Sequence, residues 1–138
     1  RRLIDSIDGS NSGEPGIAGV GLSRSSQNQE DPTIEEYVRI YFYDIPIMAE
    51  VAHCESRFRH FDKRGYILRG EVNQFDVGVM QINEHYHLKQ AESLGYNLYS
   101  LDGNLGYARH LYKKEGTRPW NSSSACWDKA SGEHLARS

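Results

Sequence analysis

The sequence predicts an α+β, mainly α, fold with a small β-hairpin region between helices. Three observations lead there. Apolar residues recur at helical spacing in several stretches, glycines stand where those stretches stop, and the segment between the second and third stretches turns strand-like.

The first helix opens after Asp31-Pro32-Thr33. Thr33 and Glu36 have capping-box spacing, and Ile34, Tyr37, Val38, Tyr41 and Phe42 fall on one helical face. Asp44-Ile45-Pro46 predicts a second start, with Asp44 as cap and Pro46 in the first turn, where its missing N–H costs nothing. Ile47, Val51, Cys54 and Phe58 then share a face. Arg59 to Gly65 reads as loop. Tyr66-Ile67-Leu68 and Glu71-Val72-Asn73 flank Arg69-Gly70 and predict a hairpin. Asp76 to Asn83 reads as a strand with Gln81 and Asn83 on one side. A third helix is expected over Glu84–Leu94 with Gly95 closing it. A fourth is expected over Asp102–Glu115, ending at Gly116 and carrying Leu105, Ala108, Leu111 and Tyr112 on one face.

Around this domain, placed at 32–127, residues 1–31 have the Ser, Gly, Asn and Gln content of a linker or loosely held arm, and 128–138 read as a polar tail. The whole chain has 138 residues, 25% of them charged, and a net charge of −3. That balance argues against a general nucleic-acid binder, which needs a basic face to displace counterions from phosphates. No apolar run is long enough for a transmembrane helix. Arg1-Arg2 is not a signal core, so any targeting segment or anchor would lie upstream. A monomer is expected.

Glu55 stands near the C-terminal end of the second helix, where the helix dipole disfavours an anion. With partial burial its pKa would rise, which suits a general acid near neutral pH. Taken alone, a helical Glu is more often a solvated surface group. Asp76, Gln81 and Asn83 bring a second carboxylate and two amides able to read hydroxyl groups, although an ordinary half-buried strand would look the same. His53, His60, His85 and His87 lack carboxylate or Cys partners at ligand spacing and read as surface groups, so no metal and no cofactor is expected. Trp120 and Trp127 suit a core or a sugar-stacking cleft. Cys54 and Cys126 lack CxxC spacing, which leaves two buried thiols and one long-range disulfide equally open.

In order along the chain, three motifs resemble the lysozyme-like superfamily of c-type and goose-type lysozymes, lytic transglycosylases and resuscitation-promoting factors. Cys54-Glu55-Ser56-Arg57-Phe58 is similar to the E-S-x-F run that holds the catalytic Glu. Gly78 to Ile82 resembles the G-L-M-Q-I core of lytic transglycosylases, and Asp76 to Asn83 matches D-x-G-x-x-Q-I-N of c-type enzymes. Asn104 to Arg109, followed by Gly116, Trp120 and Cys126, is similar to the late helix and loop. The A-Y-N-A-G run of lytic transglycosylases is absent, Asn83 replaces the goose-type Asp, and the basic charge of antibacterial lysozymes is missing.

The resemblance implies a lysozyme-like fold and a peptidoglycan-cleaving glycosidase in an extracytoplasmic compartment. It implies Glu55 as general acid/base and Asp76 as nucleophile or charge stabiliser. Gln81, Asn83 and Trp120 would line the saccharide cleft, the Trp120 ring would desolvate Glu55, and Cys54–Cys126 would form a disulfide. The reaction would be hydrolysis through Asp76, or closure of a 1,6-anhydro ring with Glu55 acting alone. The alternative is a non-catalytic glycan-binding or adaptor module on the same fold.

Overall fold

The computed structural model of the chain describes residues 30–129. The expected arm and polar tail therefore lie outside the described residues, apart from 30–31 and 128–129. Over residues 34–129 the chain forms one compact, mainly helical α+β unit. Its elements are α1 (Ile34–Tyr41), α2 (Ile47–Ser56), β1 (Asp76–Val77), β2 (Ile82–Asn83), α3 (Glu84–Ser93), α4 (Leu101–Glu115) and a 3₁₀ helix (Arg118–Ser123). Residues 124–129 continue as helix where a polar tail was expected to begin at 128. Among the described residues no helix is long and apolar enough to cross a membrane.

The apolar face of α1 sends Val38 and Phe42 into the core, with Ile34, Tyr37 and Tyr41 packed beside them. Asp44 does not cap α2. That position belongs to Pro46, without a side-chain bond, and Asp44 instead accepts from the Arg109 guanidinium of α4. Arg109 also donates to the Tyr41 carbonyl, so α4 clamps the α1–α2 connection. Helix α3 ends at Ser93, with Gly95 at φ 88°, and α4 ends at Gly116. Both glycines take up a backbone turn that side-chain-bearing residues enter with strain.

The β region departs from the expected pattern. Tyr66–Leu68 and Glu71–Asn73 do not pair with each other. Isolated bridges join Phe61 to Ile67 and Arg69 to Val77, while Leu68 N donates to His60 O at 2.9 Å. Glu71-Val72-Asn73 forms an exposed loop, with Val72 fully exposed, because no apolar neighbour would reward it as a strand. The hairpin lies inside the segment expected to be one strand. Asp76 pairs with Asn83 and Val77 with Ile82, antiparallel, around a turn at Gly78–Gln81.

That turn is held from below. Gly78 has φ 80°, and a Cβ there would fall 2.3 Å from Asn104 Nδ2 and 2.7 Å from His60 Cε1. Asn104, fully buried on α4, donates to the Val77 and Leu98 carbonyls and accepts from Met80 N at 2.9 Å. His60 is also fully buried and is not the surface group expected. Its Nδ1 accepts from Val79 N at 3.0 Å and its Nε2 lies 3.0 Å from the Tyr99 carbonyl. Both bonds are met by a neutral ring carrying its proton on Nε2, and burial pushes its pKa down. Trp120, 2% exposed, adds an indole N–H to the Met80 carbonyl at 2.9 Å. An apolar core thus carries polar pegs that hold one hairpin in a single place.

Candidate active site

Glu55 is the penultimate residue of α2. The helix stops after Ser56 because Arg57 and Phe58 both adopt the left-handed conformation, at φ 56° and 61°. This turn drops Phe58 into the core, while Glu55 lines a pocket together with Asp76 and Gln81 of the hairpin. Ser56, buried, sets the distance between the two. Its Oγ donates to the Val79 carbonyl at 2.8 Å and accepts from Arg59 N at 3.2 Å. The Glu-Ser-x-Phe pattern therefore has a physical account: Ser56 bonds the helix end to the hairpin turn and Phe58 anchors the exit.

A cleft of about 400 Å³ opens here, lined among others by Glu55, Ser56, Leu68, Arg69, Asp76 and Gln81. Ser123 Oγ donates to Glu55 Oε2 at 2.7 Å. Ser123 is itself oriented by the Trp127 indole, which donates to its oxygen at 3.1 Å. The Cys54–Cys126 disulfide closes a separation of 72 residues beside this bond, joining the neighbour of Glu55 to a residue three positions after Ser123. Among the described residues there are no free cysteines.

The electrostatics distinguish the two carboxylates. Burial raises the Glu55 pKa, the Ser123 hydroxyl pulls it partway down, and the Asp76 charge raises it again. Burial raises Asp76 as well, while the Asn83 amide, donating to Asp76 Oδ1 at 3.0 Å, lowers it. Burial thus raises both carboxylates, and Glu55 alone is raised further by the charge of the other. Two carboxylates facing one cleft, one of them pushed up by burial and a neighbouring charge, are suited to general acid chemistry with charge stabilisation.

The structure brings Glu55, Asp76 and Gln81 to the cleft. Gln81 sits at φ 53° and donates its side-chain amide to the Gly78 carbonyl, which orients it at the turn. Asn83 and Trp120 do not line the cleft. The Asn83 carbonyl oxygen accepts from Tyr86 N as the N-cap of α3, and its NH₂ holds Asp76, so both ends of the amide serve the scaffold. Trp120 is core, its indole spent on Met80. Gln81 and Asn83 part company because the segment is a hairpin, whose turn breaks the strand alternation that would put both on one face.

Sequence reasoning missed Ser123, Asn104, His60 and the arginines of the cleft. For Ser123 a signal existed: if Cys126 bonds Cys54, the residues preceding Cys126 must pass close to Glu55. For buried Asn104 and His60 there was none, since polar residues are exposed by default. Among the described residues His, Cys, Asp and Glu nowhere gather in threes as a metal site. No protein-family model, curated protein or solved structure matches the chain.

Proposed function

We propose that this protein is a lysozyme-like glycosidase that cuts the β-1,4 bond between N-acetylmuramic acid and N-acetylglucosamine in peptidoglycan, with Glu55 as general acid/base. The observation that carries the reading is Glu55 itself, half-buried in a cleft, held by Ser123 and raised by burial and by the charge of Asp76. The succession of helix, hairpin and helices, with the carboxylates on the helix end and the hairpin, supports a lysozyme-like fold. The disulfide suits an extracytoplasmic compartment, where such bonds persist.

Protonated Glu55 donates to the glycosidic oxygen as the bond from that oxygen to the muramyl C1 breaks. The bonding pair leaves with the oxygen, and positive charge gathers on C1. Asp76, ionised in the same cleft, stabilises that charge or bonds to C1. Water, or the muramyl 6-hydroxyl, then completes substitution at C1. Its proton returns to Glu55, which is restored for the next cycle.

Mass spectrometry of digested peptidoglycan tests the reading. New reducing ends are the hydrolytic outcome and 1,6-anhydro-muropeptides the transglycosylase outcome. Glu55→Gln loses either activity. A fully active Glu55→Gln protein refutes the assignment, and glycan binding without any product favours an adaptor module instead.

A further inference from the structure

Arginine lines the cleft beside the carboxylates, although the chain as a whole is acidic at −3. Three arginines stand there, and they are not equivalent. Arg69 donates to Glu84 at 2.7 Å and to the Gln74 carbonyl, so its charge is matched. Arg57 and Arg59 have no carboxylate within ion-pair distance among the described residues. Arg59, which lines the cleft, is tethered, its Nε donating to the Ser56 carbonyl at 2.9 Å, which leaves its outer guanidinium nitrogens without a side-chain partner. Arg57 is exposed and held in the left-handed conformation, where Gly would cost less. Two guanidinium groups without a carboxylate partner, carried by a tight turn two and four residues beyond Glu55 and one of them tethered, can receive a carboxylate. With no carboxylate of the described residues within ion-pair distance, their charge is available to something outside the protein.

We propose that Arg57 and Arg59 form an anion subsite that takes the free carboxylates of the peptide stems on the muramyl residues. This rests on the peptidoglycan reading above and adds to it a preference for stem-bearing strands over bare glycan. The alternating sugar backbone carries no charge once its lactyl groups are amide-linked, so acidic stem residues are what such a pair can select.

The test uses two preparations of one peptidoglycan, one with stems intact and one with stems removed by an amidase and the lactyl carboxylates so freed blocked as methylamides. Binding by the Glu55→Gln protein and cleavage by the protein with Glu55 intact are measured on both, each with and without Arg57→Gln plus Arg59→Gln. We expect preference for the stem-bearing form, falling roughly tenfold in the double variant, the loss of about one charge-assisted hydrogen bond. Added salt lowers the same preference. Equal losses on both preparations, or none, overturn the subsite. Stem-dependent binding that the double variant loses, with no cleavage by the chain, retains the subsite and refutes the glycosidase.

Discussion

Replacing Gly78 by Ala tests whether the hairpin is held as described. At φ 80° any side chain costs about 1–2 kcal/mol of backbone strain. The new Cβ would also lie 2.3 Å from Asn104 Nδ2, which is fully buried and cannot swing away. Displacing that amide endangers its bonds to the Val77 and Leu98 carbonyls and to Met80 N. Each buried polar group left unpaired costs about 1–3 kcal/mol. Strain plus one or two such losses comes to about 4 kcal/mol, a large share of the roughly 5–15 kcal/mol that holds a domain together. Asn104→Ala costs about 3 kcal/mol by itself through the same three bonds. In the double variant the Cβ meets no amide, and only the approach to His60 Cε1 at 2.7 Å remains, so the two costs overlap by about 2 kcal/mol. Urea unfolding of the four proteins measures the cycle. Additivity within about 0.5 kcal/mol, or a Gly78→Ala cost under about 1 kcal/mol, refutes the close approach as the reason for glycine.

Three further outcomes follow from the site and its supports. Ser123→Ala removes the donor that lowers Glu55, so its pKa rises further and the alkaline limb of the pH–rate profile moves to higher pH; an unmoved limb would show that Ser123 does not act on Glu55. Burial lowers the His60 pKa, so the folded state binds fewer protons than the unfolded one and the bonds His60 makes lose their value as pH falls below its ordinary value of 6.5. The stability gap between the protein and His60→Gln therefore narrows from pH 7.5 towards 5 in urea titrations, and a constant gap would contradict a neutral buried ring. Breaking the Cys54–Cys126 bond by replacing both with Ala releases a separation of 72 residues, worth up to about 4 kcal/mol in unfolding experiments, and it weakens the Ser123–Glu55 contact enough to reduce cleavage.

What the sequence determined by itself was local or periodic. The face of α1 follows from the spacing of Val38 and Phe42, and the ends of α3 and α4 follow from Gly95 and Gly116, because these depend on neighbours within one or two turns. The position of Glu55 at a helix end was legible for the same reason. The pairing of Cys54 with Cys126 was left open by spacing and implied only by resemblance. The tertiary structure decided the rest. Asp76–Asn83 reads as one strand from its pattern, and it is a hairpin because Asn104, His60 and Ser56 take hold of its turn from distant positions. Asn83 and Trp120 carry polar groups that suit a sugar, yet one caps a helix and the other bonds the Met80 carbonyl. Ser123 reaches Glu55 across 68 residues of chain, a contact no local pattern encodes. A carboxylate's position can be read from its own helix, but its pKa belongs to whatever the fold packs around it.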